Sequence, residues 1–478
     1  MRRIVIVGGG IAGLSAAYYM SKDVQEPVAI SLLEASNYWG GKLVTERQDD
    51  FVIEGGPDTF IVTKPWALDL CRQLGIDGRL KGTNPEHKNT YILHTGRLHP
   101  LPGGLTMMIP TEFTPMIRTG LLSWPAKARM GADFLIPPAA RNGDESLGAF
   151  VTRRLGRQAY ERLIEPLMSG IYAGDGDLLS LQATFPYLRD LELEYGGLVK
   201  GALALRRKRI RSQLRKNGGT VPGTTPGSRS IFLTPQRGLA EIVEALLANL
   251  QTSGVRLRLN TGVTNIERMA KGYRLRLRDG ERIEADGLIL ATPAYVTSDL
   301  LKGFAPELAA ELKAIEYATT ATVTLAYRES DLGRPLDGYG YVIPRSEGRQ
   351  ALACTWTSTK FPHRAPRGYA LLRVFIGRAG QEDDLVWDED SLLEVARQEL
   401  RSTLNILAEP VLKRVFIWDK AMPQYNLGHP TRLERIRAGM EPFPSLALAG
   451  NGYSGIGIPD CIHSGELAAM RLLKISTG

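Results

Sequence analysis

The residues best spaced for chemistry in this chain are glycines. Gly8, Gly9 and Gly10, then Ile11, Ala12 and Gly13, follow the four-residue apolar run Ile4 to Val7 in "IVIVGGGIAGLSAAYY". A β-branched run of that length predicts a buried parallel strand, and Ala12 to Met20 reads as the helix after it. Gly8 permits a tight turn, Gly10 lets a diphosphate approach the backbone, and Gly13 allows close helix–strand packing. The helix start offers unpaired N–H groups and a partial positive charge to phosphate. Val28 to Leu33 predicts a second strand that ends at Glu34, with Ala35 next. An acid there accepts hydrogen bonds from ribose hydroxyls and disfavours a 2′-phosphate. Strand, glycines, helix, strand and acid in register predict dinucleotide binding, without distinguishing NAD from FAD.

Two further glycine-rich stretches carry weight. Gly40-Gly41-Lys42 precedes an alternating segment, Leu43 to Arg47, an Asp49-Asp50 turn and Phe51 to Glu54, which read together as a hairpin closed by Gly55-Gly56-Pro57-Asp58. Glycines there let the chain lie against something flat and large; the alternative is a plain surface loop. Near the other end, Leu446 to Ala449 predicts a strand opening into "GNGYSGIGIPDCIHSG" and a helix, the layout of a second phosphate-type turn. Its "GYSGI" imitates a nucleophile elbow, but Ile456 stands where the elbow requires glycine. Cys71, Cys354 and Cys461 form no CxxC, and the six histidines form no HxxxH pair. These counts favour a reducing compartment and give no support to a disulfide framework or a metal site.

The elements that must position these residues fill a long chain. Its 478 residues predict two or three lobes, and 43% hydrophobic with 23% charged content predicts a substantial core. A net charge of +8 and a pI near 9.3 suit an acidic small molecule, an anionic membrane surface or nucleic acid, and select none of them. Arg2 and Arg3 before an apolar stretch imitate a signal peptide, but three glycines interrupt it, and no other run is long enough to predict a membrane span. Pro100 to Pro138 reads as short amphipathic helices broken by proline. They form either an ordinary helical subdomain or a surface dipping into a membrane interface. Ser146 to Met168 reads as helix. Leu205 to Lys216 packs seven Lys or Arg before a Gly/Thr/Pro stretch, which predicts a mobile, solvated insertion, with electrostatic docking on anionic lipid as the alternative. Without aromatics to stack on bases, nucleic acid is not expected as a partner. Gly238 to Thr252 predicts a helix, and "TATVTLAY", "YGYVIP", "ALACTW" and "ALLRVFIG" predict strands of one sheet in a second lobe.

Over nearly its whole length the sequence resembles the FAD-dependent protoporphyrinogen/coproporphyrinogen oxidases, which belong to the amine-oxidase-like flavoproteins. The pieces that carry the resemblance are "IEPLMSGIYAGDGDLLSLQATFP", "ACTWT", "FPHRAP", "AMPQYNLGH" and "GIGIPDCIHSG". It implies a mixed α/β (α+β) fold in three parts. These are a Rossmann-like FAD lobe in several segments (1–85, 232–300 and 416–478), a sheet-walled substrate lobe (86–108 and 301–415), and a helical, membrane-associated lobe (109–231) with the basic insertion near 205–230. Carried over by position, the resemblance assigns Gly8 to Gly13, Glu34, Ala35, Gly41, Lys42, Gly56, Pro57, Asp58, Thr59, Val263, Trp418, Gly450 and Gly455 to Ile458 (that is, Gly455, Ile456, Gly457 and Ile458) to the cofactor. It assigns Gly170, Ile171, Tyr172, Tyr339, Val342 and Phe375 to the tetrapyrrole. The sequence departs from the family where Asn37-Tyr38-Trp39 stands in place of a segment with Arg, and where Gly55 replaces Arg.

The implied reaction is oxidation of a porphyrinogen in heme biosynthesis, in three two-electron steps with oxygen as acceptor. No side chain is assigned as catalytic and no metal is expected, because the flavin carries the chemistry. Coproporphyrinogen III is the leading substrate and protoporphyrinogen IX the alternative. Another amine- or carotenoid-type flavin oxidase, or a non-catalytic flavin or porphyrin carrier, ranks lower. Lys64, Arg97 and Arg345 are candidate cations for propionates. The helix after Gly457 is expected to aim its positive end at the flavin. A cytoplasmic monomer or homodimer, with peripheral contact on the inner face of an anionic membrane as a further reading, completes the expectations.

Overall fold

The computed structural model describes all residues except 23–27, 104, 107–108, 111, 140–142, 217–229 and 475–478. The chain divides into two compact units, one of Met1–Thr83, Ser230–Glu316 and His429–Gly478, the other of Asn84–Arg229 and Tyr317–Gly428.

The first unit is built on a five-stranded parallel sheet in the order Arg256–Arg258, Val28–Leu33, Arg2–Val7, Gly287–Leu290, Leu446–Leu448. Inside the edge strand Arg256–Arg258 the strands are short and largely apolar because both faces are covered, as parallel sheets require. The helices Ile11–Lys22, Ala240–Thr252 and Ile458–Lys474 pack around one core that includes Ile6, Leu14, Leu32, Leu246, Ile289 and Ile462. One glycine lets the first helix close onto its own entry turn, and another lets the first and last helices come close. A Cβ on Gly13 would stand 1.9 Å from the Gly8 carbonyl oxygen, and one on Gly465 would stand 2.2 Å from that of Ala12. The unit also holds two three-stranded antiparallel sheets, Val263–Arg268 with Tyr273–Leu277 and Arg282–Ala285, and Phe60–Ile61 with Phe232–Pro235 and Leu80–Gly82, and the hairpin Thr45–Gln48/Phe51–Glu54. That hairpin also caps a helix. The buried Glu54 accepts the Leu239 N–H at 2.8 Å and the Thr45 hydroxyl at 2.6 Å, while Thr45 Oγ1 accepts the Ala240 N–H at 3.0 Å. The start of Ala240–Thr252 thus has its donors satisfied away from water.

The second unit carries a seven-stranded sheet in the order Leu412–Pro423, Tyr317–Arg328, Tyr369–Ile376, Ala351–Trp356, Gly338–Val342, Asn89–His94, Arg97–Pro100. All neighbours run antiparallel except Gly338–Val342 with Asn89–His94. Strict alternation sends Tyr341, Ile343, Val374 and Ile376 to one face, against the helix Glu389–Leu404. Val342 and Phe375 go to the other. The helical part of this unit corrects one expectation. Ser146 to Met168 is not one helix, because Gly156 at φ +92° ends Leu147–Leu155 before a second helical stretch begins at Arg157. The basic run lies on the helix Leu198–Lys216. The Gly/Thr/Pro stretch expected to be mobile, residues 217–229, lies outside the described residues. Among the described residues, no helix is long and apolar enough to cross a membrane.

Candidate functional site

The first unit gathers its glycine turns at the carboxyl ends of parallel strands, where open α/β sheets bind ligands. The turn after Val7 needs Gly8. Its φ is +107°, and a Cβ there would lie 2.7 Å from the Ala291 carbonyl oxygen. Gly10 is different, because a Cβ on it would meet nothing within 4 Å, so open space lies where a diphosphate would approach. The N–H groups of the first turn of Ile11–Lys22 have no partner within the helix, a ready anion site.

Glu34 stands across this turn. Its Oε2 accepts the Gly9 N–H at 2.6 Å and its Oε1 accepts the Ser36 N–H at 2.8 Å. Each oxygen keeps a further lone pair for a ribose hydroxyl. The Glu34 carbonyl accepts the Thr261 N–H at 2.7 Å, which brings the strand beginning at Val263 alongside. Ala35 beside it is exposed.

The second glycine pair packs on the first turn. Gly40 donates its N–H to the Gly9 carbonyl at 2.9 Å and forms a parallel bridge with Gly10. A Cβ on Gly41 would lie 3.2 Å from Gly10 Cα. The pair therefore backs onto the first turn and buttresses it. Lys42 follows, half-buried, and burial pulls its ammonium down to about 8. Gly56 fits directly on the Lys42 backbone, since a Cβ there would stand 2.0 Å from the Lys42 carbonyl oxygen. Pro57, Asp58 and Thr59 continue from it half-exposed, with the Thr59 hydroxyl 3.1 Å from Asp58 Oδ1. Trp39 is a residue the sequence reading missed. Its ring lies over Gly9, where a Cβ would come within 2.4 Å of it. An aromatic beside a glycine pair is the only signal that could have exposed this.

The turn after Leu448 leaves the same sheet. Gly450 has φ +121° and open space for its missing Cβ, and its N–H donates to Ser464 Oγ at 3.0 Å. Gly455 also has φ +121°, and a Cβ there would strike Asp460 at 2.4 Å. Ile456 is half-exposed beside it, and Ile458 is buried at the start of its helix. That helix does not present a bare positive end. Asp460 Oδ2 accepts the Gly457 N–H at 3.3 Å, and Lys64 Nζ sits 2.7 Å from Asp460 Oδ1. The carboxylate offsets the helix dipole and Lys64 restores positive charge. Lys64, a candidate propionate cation, is committed to this pair.

The second unit presents a mainly apolar sheet face. Val342 and Phe375 pack with Leu352, Ala353 and Ala173, and a Cβ on Gly170 would lie 3.8 Å from Val342 Cγ1. Ile171 projects from the end of the helix Glu165–Tyr172 and is half exposed, at 48%. Tyr172 points the other way. It is buried, edge-on to Phe185 at 5.7 Å and near Tyr425 at 6.2 Å, so it supports the helix end rather than lining the face. The Tyr339 hydroxyl donates to the Asn84 carbonyl at 2.7 Å. Trp418 lies half-buried in Leu412–Pro423, opposite Thr320. Arg373, which sequence reasoning did not single out, is buried with its guanidinium 4.7 Å from the Phe375 ring centroid. Its i, i+2 spacing from Phe375 could have revealed the shared face. Arg345 donates to the carbonyls of Ala379 at 3.1 Å and Gly174 at 3.5 Å, while Arg97 is exposed on its strand.

Glycine turns open to a diphosphate, an acid bound to the first of them and a lysine form a surface that fits a dinucleotide such as FAD. The apolar face fits a flat macrocycle. The family of flavin containing amine oxidoreductases matches residues 11–473. The coproporphyrinogen III oxidase of Bacillus subtilis is 36% identical over 471 residues, 98% of this chain and 97% of that one. Its counterpart from Staphylococcus aureus is 35% identical over 478 residues, 99% of each. The chloroplastic protoporphyrinogen oxidase of Nicotiana tabacum is 30% identical over 477 residues, 96% of this chain and 83% of that one. A solved structure from Exiguobacterium sp. 255-15 superposes with a TM-score of 0.84 at 33% identity, covering 99% of both chains. Cyclohexylamine oxidase from Brevibacterium oxydans shares the fold alone, with a TM-score of 0.67 at 17% identity.

Proposed function

Because the chain belongs to the flavin containing amine oxidoreductases, and within them to the porphyrinogen oxidases, we propose that it oxidises coproporphyrinogen III to coproporphyrin III. Its cofactor is FAD. The full-length likeness to the Bacillus and Staphylococcus enzymes carries the choice of substrate. Bound FAD would supply a two-electron acceptor: three rounds remove six hydrogens as three hydrides and three protons, four of the six coming from the meso carbons and two from pyrrole nitrogens. Oxygen is the proposed terminal acceptor, with three molecules reduced to three of hydrogen peroxide.

The chain's own residues bind, orient and exclude water. In this reading Gly8 to Gly13 and Gly450 receive the diphosphate, Glu34 the ribose, and Lys42 adds positive charge. Gly41, Gly56 to Thr59, Val263, Trp418 and Gly455 to Ile458 complete the cofactor contacts. Gly170, Ile171, Val342 and Phe375 hold the macrocycle flat, Tyr172 backs them, and Tyr339 belongs to the same lobe. The division into FAD, substrate and helical lobes is part of the proposal. So is peripheral contact of the helical lobe with an anionic membrane. Trp124 at 69% and Leu135 at 86% exposure, with Lys127 Nζ 4.6 Å from the Trp124 ring, support that contact.

The test compares oxidation of coproporphyrinogen III and protoporphyrinogen IX by purified, flavin-loaded protein, read as porphyrin fluorescence. Faster turnover of coproporphyrinogen III is expected, and a preference for protoporphyrinogen IX would replace the substrate. A protein whose flavin neither substrate bleaches would overturn the activity altogether.

A further inference from the structure

We propose that Glu165 and Arg378 are positioning residues that set porphyrinogen affinity by locking the end of the Glu165–Tyr172 helix against the sheet face of Val342 and Phe375. The inference rests on the reading of that face as the substrate wall.

Both side chains are buried, Glu165 at 4% and Arg378 at 1% exposure, and both lie within the second unit. Glu165 opens its helix, and its Oε2 accepts the Arg345 N–H at 3.1 Å. Its Oε1 lies 3.6 Å from Arg378 Nη1. Arg378 comes two residues after the strand Tyr369–Ile376 ends, past Gly377 at φ +97°. Its Nη2 donates to the carbonyl of Ile343, next to Val342, and lies 3.5 Å from that of Ala351. One guanidinium therefore ties the ends of the strands that carry Val342, Ala353 and Phe375.

The helix end is held from the other side. Arg345 reaches the carbonyls of Ala379 and Gly174, and the Ala379 N–H donates to the Ala173 carbonyl at 2.7 Å. Ala173 sits at φ +48°, a conformation that a residue with a Cβ holds only when its surroundings dictate it. It lies in the cluster with Leu352 and Ala353 that Val342 and Phe375 pack against.

This pair is poorly built for stability. Glu165 Oε1 and Arg378 Nε and Nη1 have no hydrogen-bond partner among the described residues. Burial raises the Glu165 carboxyl and lowers the Arg378 guanidinium to about 10. A buried pair of this kind contributes little net stability compared with apolar residues of the same volume. What it does provide is a fixed spacing between a helix end and three strand ends.

The experiment uses the full-length, FAD-loaded protein and four variants: Glu165→Gln, Arg378→Met, the two combined, and Arg378→Lys. Glutamine keeps an acceptor for the Arg345 N–H, and the combined variant removes both charges. Thermal melting, flavin absorbance, and KM and kcat for coproporphyrinogen III are measured for each. We expect KM to rise about tenfold in the single variants while kcat changes by less than about threefold. In the combined variant the melting temperature returns toward wild type but KM stays raised. A combined variant that recovers both together, or wild-type KM in every folded variant, overturns the proposal. Arg378→Lys keeps the charge and loses the fork to Ile343 and Ala351, so it decides the matter if the others do not fold: a raised KM supports the proposal and a wild-type KM refutes it. If wild-type protein oxidises no porphyrinogen, the functional reading fails instead.

Discussion

Replacing Gly10 with alanine separates a glycine needed by the fold from one needed by the ligand. A Cβ on Gly10 meets no atom within 4 Å, and its φ is not positive. The flavin-free variant should therefore be as stable as wild type, within the roughly 0.5 kcal/mol typical of neutral substitutions, about 1 °C in a chain this long. The cost falls on binding. A methyl group would occupy the open space above the turn and push a diphosphate off the N–H groups at the start of Ile11–Lys22. Losing two hydrogen bonds to a charged group at about 1.5–3 kcal/mol each weakens FAD binding by about 3–6 kcal/mol, roughly a hundredfold to ten-thousandfold. Titrating flavin-free protein with FAD, followed by flavin fluorescence, gives the affinity. Melting with and without FAD gives the stability and the ligand-dependent gain, which should vanish in the variant. FAD affinity within about threefold of wild type would refute the placement of the diphosphate over Gly10. A flavin-free variant that melts many degrees lower would show that the glycine serves the fold instead.

Gly13→Ala and Gly465→Val should behave in the opposite way. Their new Cβ atoms would stand 1.9 and 2.2 Å from backbone oxygens, so the flavin-free protein itself should melt several degrees lower or fail to accumulate in soluble form. Lys42 has a folded pKa of about 8 against an ordinary 10.5, so the folded state binds fewer protons between those values. Flavin-free stability should rise with pH across that window, because the unfolded state then holds the extra proton. With Lys42 supplying positive charge to FAD as proposed, affinity should fall as pH rises through about 8; Lys42→Met should abolish that slope in the same titration. Phe375→Ala removes the aromatic ring from the sheet face. KM for coproporphyrinogen III should rise roughly tenfold to a hundredfold, for about 1.5–3 kcal/mol of lost burial, with the flavin spectrum unchanged.

The sequence by itself determined the local pieces. Four β-branched residues before Gly8, the helix behind it and the strand Val28–Leu33 all follow from periodicities set within a few residues, and they stand where that periodicity puts them. The four strand-like runs between Tyr317 and Phe375 join one sheet, because alternation is likewise local. The motifs from "IEPLMSG" to "GIGIPDC" carried the family, since identity of type at fixed spacing needs no knowledge of contacts.

Only the tertiary structure decided how distant stretches meet. The turns at Gly8 and Gly450 arise from one sheet because Arg2–Val7 and Leu446–Leu448 both flank Gly287–Leu290, a pairing no local pattern encodes. Gly40 and Gly41 serve the first turn, Trp39 covers Gly9, and Asp460 with Lys64 modifies a helix end that looked bare in one dimension. Tyr172 turned inward and Arg373 came to lie against Phe375 for the same reason. Chain-local geometry fixes which way a side chain alternates. Which faces are buried together, and which charges then share a low-dielectric interior, depends on surfaces assembled from residues hundreds of positions apart.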